Sequence, residues 1–104
     1  MAVEPSNDAQ FLQNINQGKV VVKFFADWCG SCKLFAPKFK RLSADERFKG
    51  ILFVEVNAEQ NPEARKQAGV NTLPYFAVYK DGKLVDGLSS SKEEAVVELI
   101  QKIV

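Results

Sequence analysis

Apolar residues in this chain fall into two kinds of run, short continuous ones and ones spaced three and four apart. Val20-Val21-Val22, followed by Phe24, Phe25 and Ala26, is β-branched and aromatic, and predicts a buried strand over 20–26. Ile51 to Asn57 predicts a second strand. Tyr75–Lys80 and Leu84–Leu88 flank Asp81-Gly82, a turn pair that predicts a β-hairpin. Between these lie helical spacings. Phe11, Leu12 and Ile15 follow the candidate caps Ser6, Asn7 and Asp8 and stop at Gly18. Leu34, Phe35, Phe39, Leu42 and Phe48 predict a helix of about twenty residues, kinked at Pro37. Asn61-Pro62-Glu63 opens a short helix ending near Gly69. Ser89-Ser90-Ser91 before Glu93-Glu94 caps a last one, with Ala95, Val96, Leu99, Ile100 and Ile103 as its apolar face.

The predicted order is α, β, α, β, α, β, β, α, with a minor strand near Val3. A helix joining the first two long strands suits a right-handed crossover and parallel pairing. The expectation is an α/β fold with a single central mixed β-sheet and helices on both faces, in one domain spanning 1–104.

Composition narrows the function classes. Fourteen Lys and Arg against thirteen Asp and Glu leave a net charge of +1, with no basic tract for nucleic acid or a membrane surface. The apolar stretches are too short to span a bilayer. The segment Met1-Ala2-Val3-Glu4-Pro5 has neither a basic region nor an apolar signal core, so a cytoplasmic location is expected. Two cysteines do not make the disulfide-dense framework of a small secreted fold. With no histidine in the chain, neither a four-ligand zinc site nor a Cys–His nucleophile is expected.

That leaves Trp28-Cys29-Gly30-Ser31-Cys32-Lys33, at the junction of the first long strand and the following helix. A cysteine there meets the positive end of the helix dipole and free backbone N–H groups, which favour thiolate. A second thiol one turn on can release a mixed disulfide. The competing reading is that both cysteines are small buried apolar residues.

The chain resembles the thioredoxin family over almost its whole length. The resemblance is carried by Phe24-Phe25-Ala26-Asp27-Trp28-Cys29-Gly30-Ser31-Cys32-Lys33, Pro37, Asn61-Pro62, Leu73-Pro74 and Lys80-Asp81-Gly82. It implies a thioredoxin fold in which Cys29 is the exposed nucleophile and Cys32 the deeper resolving thiol. Gly30 would admit close backbone approach, and Trp28 would wall the site. Pro74 would follow a cis bond and face the cysteines, letting Leu73 present its backbone to an extended substrate. Tyr75 stands where many members carry threonine.

Three departures from the family pattern carry expectations of their own. Ser31 replaces a common proline, which frees an N–H and adds a hydroxyl; both favour thiolate and a more oxidising disulfide. Lys23 stands where members carry a buried aspartate, and Glu55 where they carry lysine, so the two charges have exchanged strands. Either they only satisfy each other, or Glu55 takes the aspartate's proton-transfer duty while Lys23 lowers the Cys32 pKa. The segment Lys83–Gly87 is short for the family, with Gly87 matched to its substrate-facing glycine.

The resemblance implies a protein disulfide reductase with no bound cofactor or metal, acting as a monomer on disulfide-containing client proteins. Its electron donor would be a thioredoxin reductase. A disulfide oxidase or isomerase, and a binding module using the Leu73-Pro74 groove with an idle dithiol, stay open as alternatives.

Overall fold

The β-branched and aromatic runs pair as their composition demands. The computed structural model describes residues 3–104; Met1 and Ala2, at the head of the segment read for a leader, lie outside them. The strands are β1 (Val3–Ser6), β2 (Lys19–Phe25), β3 (Leu52–Asn57), β4 (Tyr75–Lys80) and β5 (Lys83–Ser89). They form one sheet in the order β1-β3-β2-β4-β5. β1 and β2 both run parallel to β3, and β4 is antiparallel to β2 and β5. The sheet is therefore mixed, and the expected minor strand at Val3 is its parallel edge.

Helices α1 (Phe11–Ile15), α2 (Gly30–Ser43), α3 (Pro62–Ala68) and α4 (Glu93–Gln101) complete the fold. Alternation along β2 sends Val21 to one core and Val20, Val22 and Phe24 to the other. The first core joins Phe35, Phe39 and Leu42 of α2 to Phe53, Phe76 and the apolar side of α4. Its rings pack tilted, Phe35 on Phe76 at 4.9 Å and Phe39 on Phe53 at 5.1 Å between centroids. The second core joins α1 and α3 to the opposite face through Phe11, Ile15, Ala64 and Ala68.

Several local expectations change. The helix predicted to run to Phe48 ends at Ser43, and Glu46–Phe48 forms a separate 3-10 turn capped by Asp45. A capping side chain interrupts the apolar period there. Pro37 lies inside α2, as expected. Asp8 does not cap α1. Its carboxylate accepts from Glu63 N at 3.2 Å and Ala64 N at 2.8 Å, which are first-turn donors of α3. Asn61 returns the tie, accepting from Asp8 N at 2.8 Å and donating to the Asn57 carbonyl at 3.0 Å. The N-cap of α4 is Lys92, without a side-chain cap bond; Ser90 Oγ accepts from Lys92 N instead.

Candidate active site

Where β2 ends, the chain turns through Ala26, Asp27 and Trp28 and enters α2 at Gly30, with Cys29 as the N-cap residue. Cys29 has extended backbone (φ −84°, ψ 103°), and its Sγ accepts from Cys32 N at 3.2 Å. Its sulfur holds the place a serine or aspartate oxygen fills at an ordinary helix start. Cys29 and Cys32 are joined as a disulfide, with their Cα atoms 5.2 Å apart. When the bond is reduced, a Cys29 thiolate is the stronger, charged acceptor for the same N–H. Thirteen further residues of α2 follow Gly30, and their aligned dipoles favour negative charge at that sulfur.

The sequence reading had Cys29 exposed. In the disulfide form it is 5% exposed and Cys32 2%, because both sulfurs turn inward against Ala26 and the partly buried Leu73. Access comes from the neighbours instead. A Cβ built on Gly30 meets nothing within 4 Å, and Trp28 is 67% exposed. Trp28 is thus a surface aromatic beside the disulfide and not a core residue. Ser31 Oγ lies 3.6 Å from Cys29 Sγ, within reach of a weak sulfur hydrogen bond.

Leu73–Pro74 is a cis peptide, and it leads into β4. The expectation for Gly87 does not hold. The register places Gly87 opposite Ala77, inside β5, and it is Ser89 that lies opposite Tyr75. A Cβ on Gly87 would sit 2.1 Å from the Tyr75 hydroxyl oxygen, so the tyrosine occupies the space over the glycine. Ser89 Oγ donates to the Thr72 carbonyl at 3.1 Å and approaches the Pro74 carbonyl at 3.5 Å. Ser89 therefore borders the Leu73–Pro74 segment. Burial, with Asp86 nearby, raises the Tyr75 phenol above its ordinary value.

Beneath the dithiol is a cavity of about 180 Å³ lined by Lys23, Phe25, Ala26, Asp27, Cys32, Lys33, Ala36 and Glu55. Lys23 and Glu55 are register partners on β2 and β3, and Lys23 Nζ lies 3.8 Å from Glu55 Oε1. The two side chains differ in exposure, 3% for lysine against 35% for glutamate. The ammonium also lies 5.6 Å from the ring centroids of Phe25 and Phe39, close enough for cation–π attraction. Burial pushes the Lys23 amine below its ordinary value, and the Glu55 carboxylate opposes that shift. The structure thus brings together Cys29, Cys32, Ser31 and Leu73, with Trp28 and Gly30 flanking Cys29 in the chain and Lys23, Glu55 and Cys32 on one cavity, and it leaves Gly87 outside. Sequence reasoning assigned no role at the site to Asp27, seen only within the motif around the cysteines, or to Ser89, read only as one of the serines before α4. Among the described residues no group of three His, Cys, Asp or Glu is placed to hold a metal ion.

The family model described as Thioredoxin matches residues 2–102. The chain is 36% identical over 102 residues to Thioredoxin-1 of Schizosaccharomyces pombe, covering 94% of this chain and 97% of that one. The solved structure of Plasmodium falciparum thioredoxin is 32% identical with a TM-score of 0.86, covering 98% of this chain and all of that one. A chain from the crystal structure of a ferredoxin:thioredoxin reductase and thioredoxin f2 complex is 27% identical. Its TM-score is also 0.86, with 97% of this chain and 94% of that one covered.

Proposed function

This chain belongs to the thioredoxin family and is a thiol–disulfide oxidoreductase, a thioredoxin-type protein disulfide reductase with the dithiol Cys29–Cys32, and on that premise we propose how its residues divide the work. Cys29 thiolate attacks one sulfur of a client disulfide, and the client's other sulfur leaves and takes a proton. Cys32 then loses its proton and attacks Cys29 Sγ. The second client thiol departs, the Cys29–Cys32 disulfide forms, and two electrons have passed to the client. The observation that carries this division is the N-cap position of Cys29, whose Sγ accepts from Cys32 N. Helix dipole and N–H donor both favour the thiolate of the first cysteine.

Clients dock across Trp28, Leu73 and Pro74: Trp28 is an exposed aromatic next to Cys29 in the chain, Leu73 packs against the disulfide, and Pro74 follows it through the cis bond. A thioredoxin reductase restores the dithiol, a reading supported by the complex of ferredoxin:thioredoxin reductase with thioredoxin f2, from which a structural neighbour comes. The chain would act as a monomeric, cofactor-free electron carrier in cell redox homeostasis. Its two cysteines suit the reducing cytoplasm. The test is incubation of the reduced protein with a disulfide-linked test protein while released thiol is followed. Wild type releases thiol, Cys29→Ser does not, and Cys32→Ser accumulates the mixed disulfide. No release by wild type would instead favour the binding module.

One observation favours net oxidation. Ser31 Oγ lies beside Cys29 Sγ, where a hydroxyl stabilises thiolate and makes the disulfide the better electron acceptor. Ser31→Pro is then expected to have a lower equilibrium potential than wild type. An equal or higher potential removes this reading.

A further inference from the structure

α2 carries Lys33, Lys38, Lys40 and Arg41 and no acid among its fourteen residues. Fourteen Lys and Arg in the chain less these four leave ten against thirteen Asp and Glu, so a nearly neutral molecule is acidic outside this helix. Its cationic side is the helix that begins at the dithiol. Leu34 sits among those charges and is 76% exposed, more than Trp28 or any other large apolar residue among those described. A single leucine on a surface is ordinary, but this one adjoins the site and is ringed by cations.

Local needs account for only part of this. Lys40 and Arg41 are in the last turn, where cations suit the helix dipole, and Arg41 is paired with Glu93. Lys33 and Lys38 gain nothing from the dipole and have no acid three or four residues away on the helix. Glu55 shares cavity walls with Lys33 and Lys40, yet its ion pair is with Lys23. Among the described residues, none of Lys33, Lys38 and Lys40 forms an ion pair. With about 3.6 residues per turn, Gly30, Leu34, Pro37 and Arg41 make one exposed stripe, with Lys33 and Lys40 along one side of it and Lys38 along the other.

We propose that this outer face of α2 docks clients whose surface beside the disulfide is acidic around an apolar residue. Leu34 packs on the client's apolar residue while Lys33, Lys38 and Lys40 meet its carboxylates, an apolar centre with a charged rim. The proposal rests on the client reduction described above and gives the class of client it serves. From Gly30, Lys38 and Lys40 lie about 12 and 15 Å along the helix axis at the usual rise per residue. An extended client covers that span in about four or five residues, so its carboxylates belong at that distance from its disulfide. The uneven charge also orients an approaching acidic partner toward α2, and with it toward Cys29, while the acidic remainder of the molecule turns it away.

The test uses three disulfide-linked peptides of one length, each with a leucine near its cystine. They differ only at the fourth and fifth residues on either side, which are Glu, Gln or Lys. Reduced wild type at low salt should reduce the Glu peptide with kcat/KM about tenfold above the Lys peptide, the Gln peptide falling between. At about 0.5 M NaCl the gap should shrink to about twofold or less. Lys38→Gln with Lys40→Gln narrows the gap, and Lys38→Glu with Lys40→Glu closes or inverts it. Leu34→Ser raises KM for all three and keeps their order. A change in Cys29 reactivity moves the three peptides together, so their order and not their level is the readout. Circular dichroism checks folding, and the glutamine pair decides if the glutamate pair does not fold. Equal rates at low salt, or a Glu preference that both lysine pairs leave intact, overturns the proposal. Equal rates with a DNA oligonucleotide bound in the same buffer would give the face to nucleic acid instead. If wild type reduces none of the peptides, the reductase cycle itself fails and the docking face with it, an outcome distinct from loss of the order alone.

Discussion

The two ends of the central sheet treat local rules in opposite ways. At the hairpin end each residue suits its backbone. Asp81 (φ 53°) and Gly82 (φ 83°) make the turn between β4 and β5, and Gly18 (φ 86°) accepts from Asp81 N at 2.8 Å just before β2. At the dithiol end a cysteine caps a helix, a lysine is buried in a strand, and a tryptophan stands in solvent. The same sheet supports both. Local consistency at one end gives the framework its stability, and departures gathered at the other mark where chemistry is done.

Substitutions at the two ends separate these contributions. Asp8→Ala leaves two first-turn N–H groups of α3 without their acceptor and is expected to cost about 1–2 kcal/mol in urea unfolding. A loss near zero would mean water replaces the carboxylate fully. Gly82→Ala forces a Cβ into a left-handed residue and against the side-chain oxygen of Asn16, whose amide donates to the Leu12 carbonyl. About 1 kcal/mol of stability is expected to go, with client reduction unchanged; a drop in turnover would tie the hairpin end to the chemistry.

Lys23 supplies a pH test. Its amine is held below the ordinary 10.5 by burial, so between the lowered value and 10.5 the unfolded chain binds a proton that the folded one has released. Stability of the oxidised protein, measured relative to Lys23→Met, should rise with pH across that window. A flat or falling difference would show that burial does not tax the ammonium. The smallest expected stability effect belongs to Trp28→Ala. The residue is mostly exposed, so unfolding should change by no more than about 0.5 kcal/mol while reduction of a protein disulfide falls and that of a small disulfide holds. Equal activity on both would remove Trp28 from the client surface.

Much of this contrast was legible in the chain. Strand positions followed from β-branched and aromatic runs, and the hairpin from Asp81-Gly82, because those signals act between neighbours. Pairing of Lys23 with Glu55 was legible because each was the lone charge within an apolar run, 20–26 and 51–57. What the sequence hid depends on distant partners. Asp8 read as a cap for the nearest helix, yet its acceptor oxygens serve donors 55 and 56 residues away. The position of Gly87 was hidden by an irregularity in the hairpin. From the turn, Lys80 meets Lys83 and Tyr79 meets Leu84, but Val78 then meets Asp86, so Val85 is passed over. No count from the turn reveals that shift: without it Tyr75 would face Leu88 and Phe76 would face Gly87, and with it Tyr75 faces Ser89 and Ala77 faces Gly87. The burial of Cys29 was hidden as well, since it depends on the packing of Ala26 and the distant Leu73 around it.

The clasp between Asp8 and α3 also orders events during synthesis. α3 has seven residues, far below the roughly 12–15 at which an isolated helix becomes marginal in water. Its first-turn donors wait on a carboxylate from the loop after β1, so the helix closes only when that distant loop is in place. On the ribosome the acceptor emerges first and has no helix to serve until more than fifty further residues have followed. The nascent chain thus carries the cap for the start of α3 near its front, and the segment that leads into Leu73 and Pro74 is fastened late.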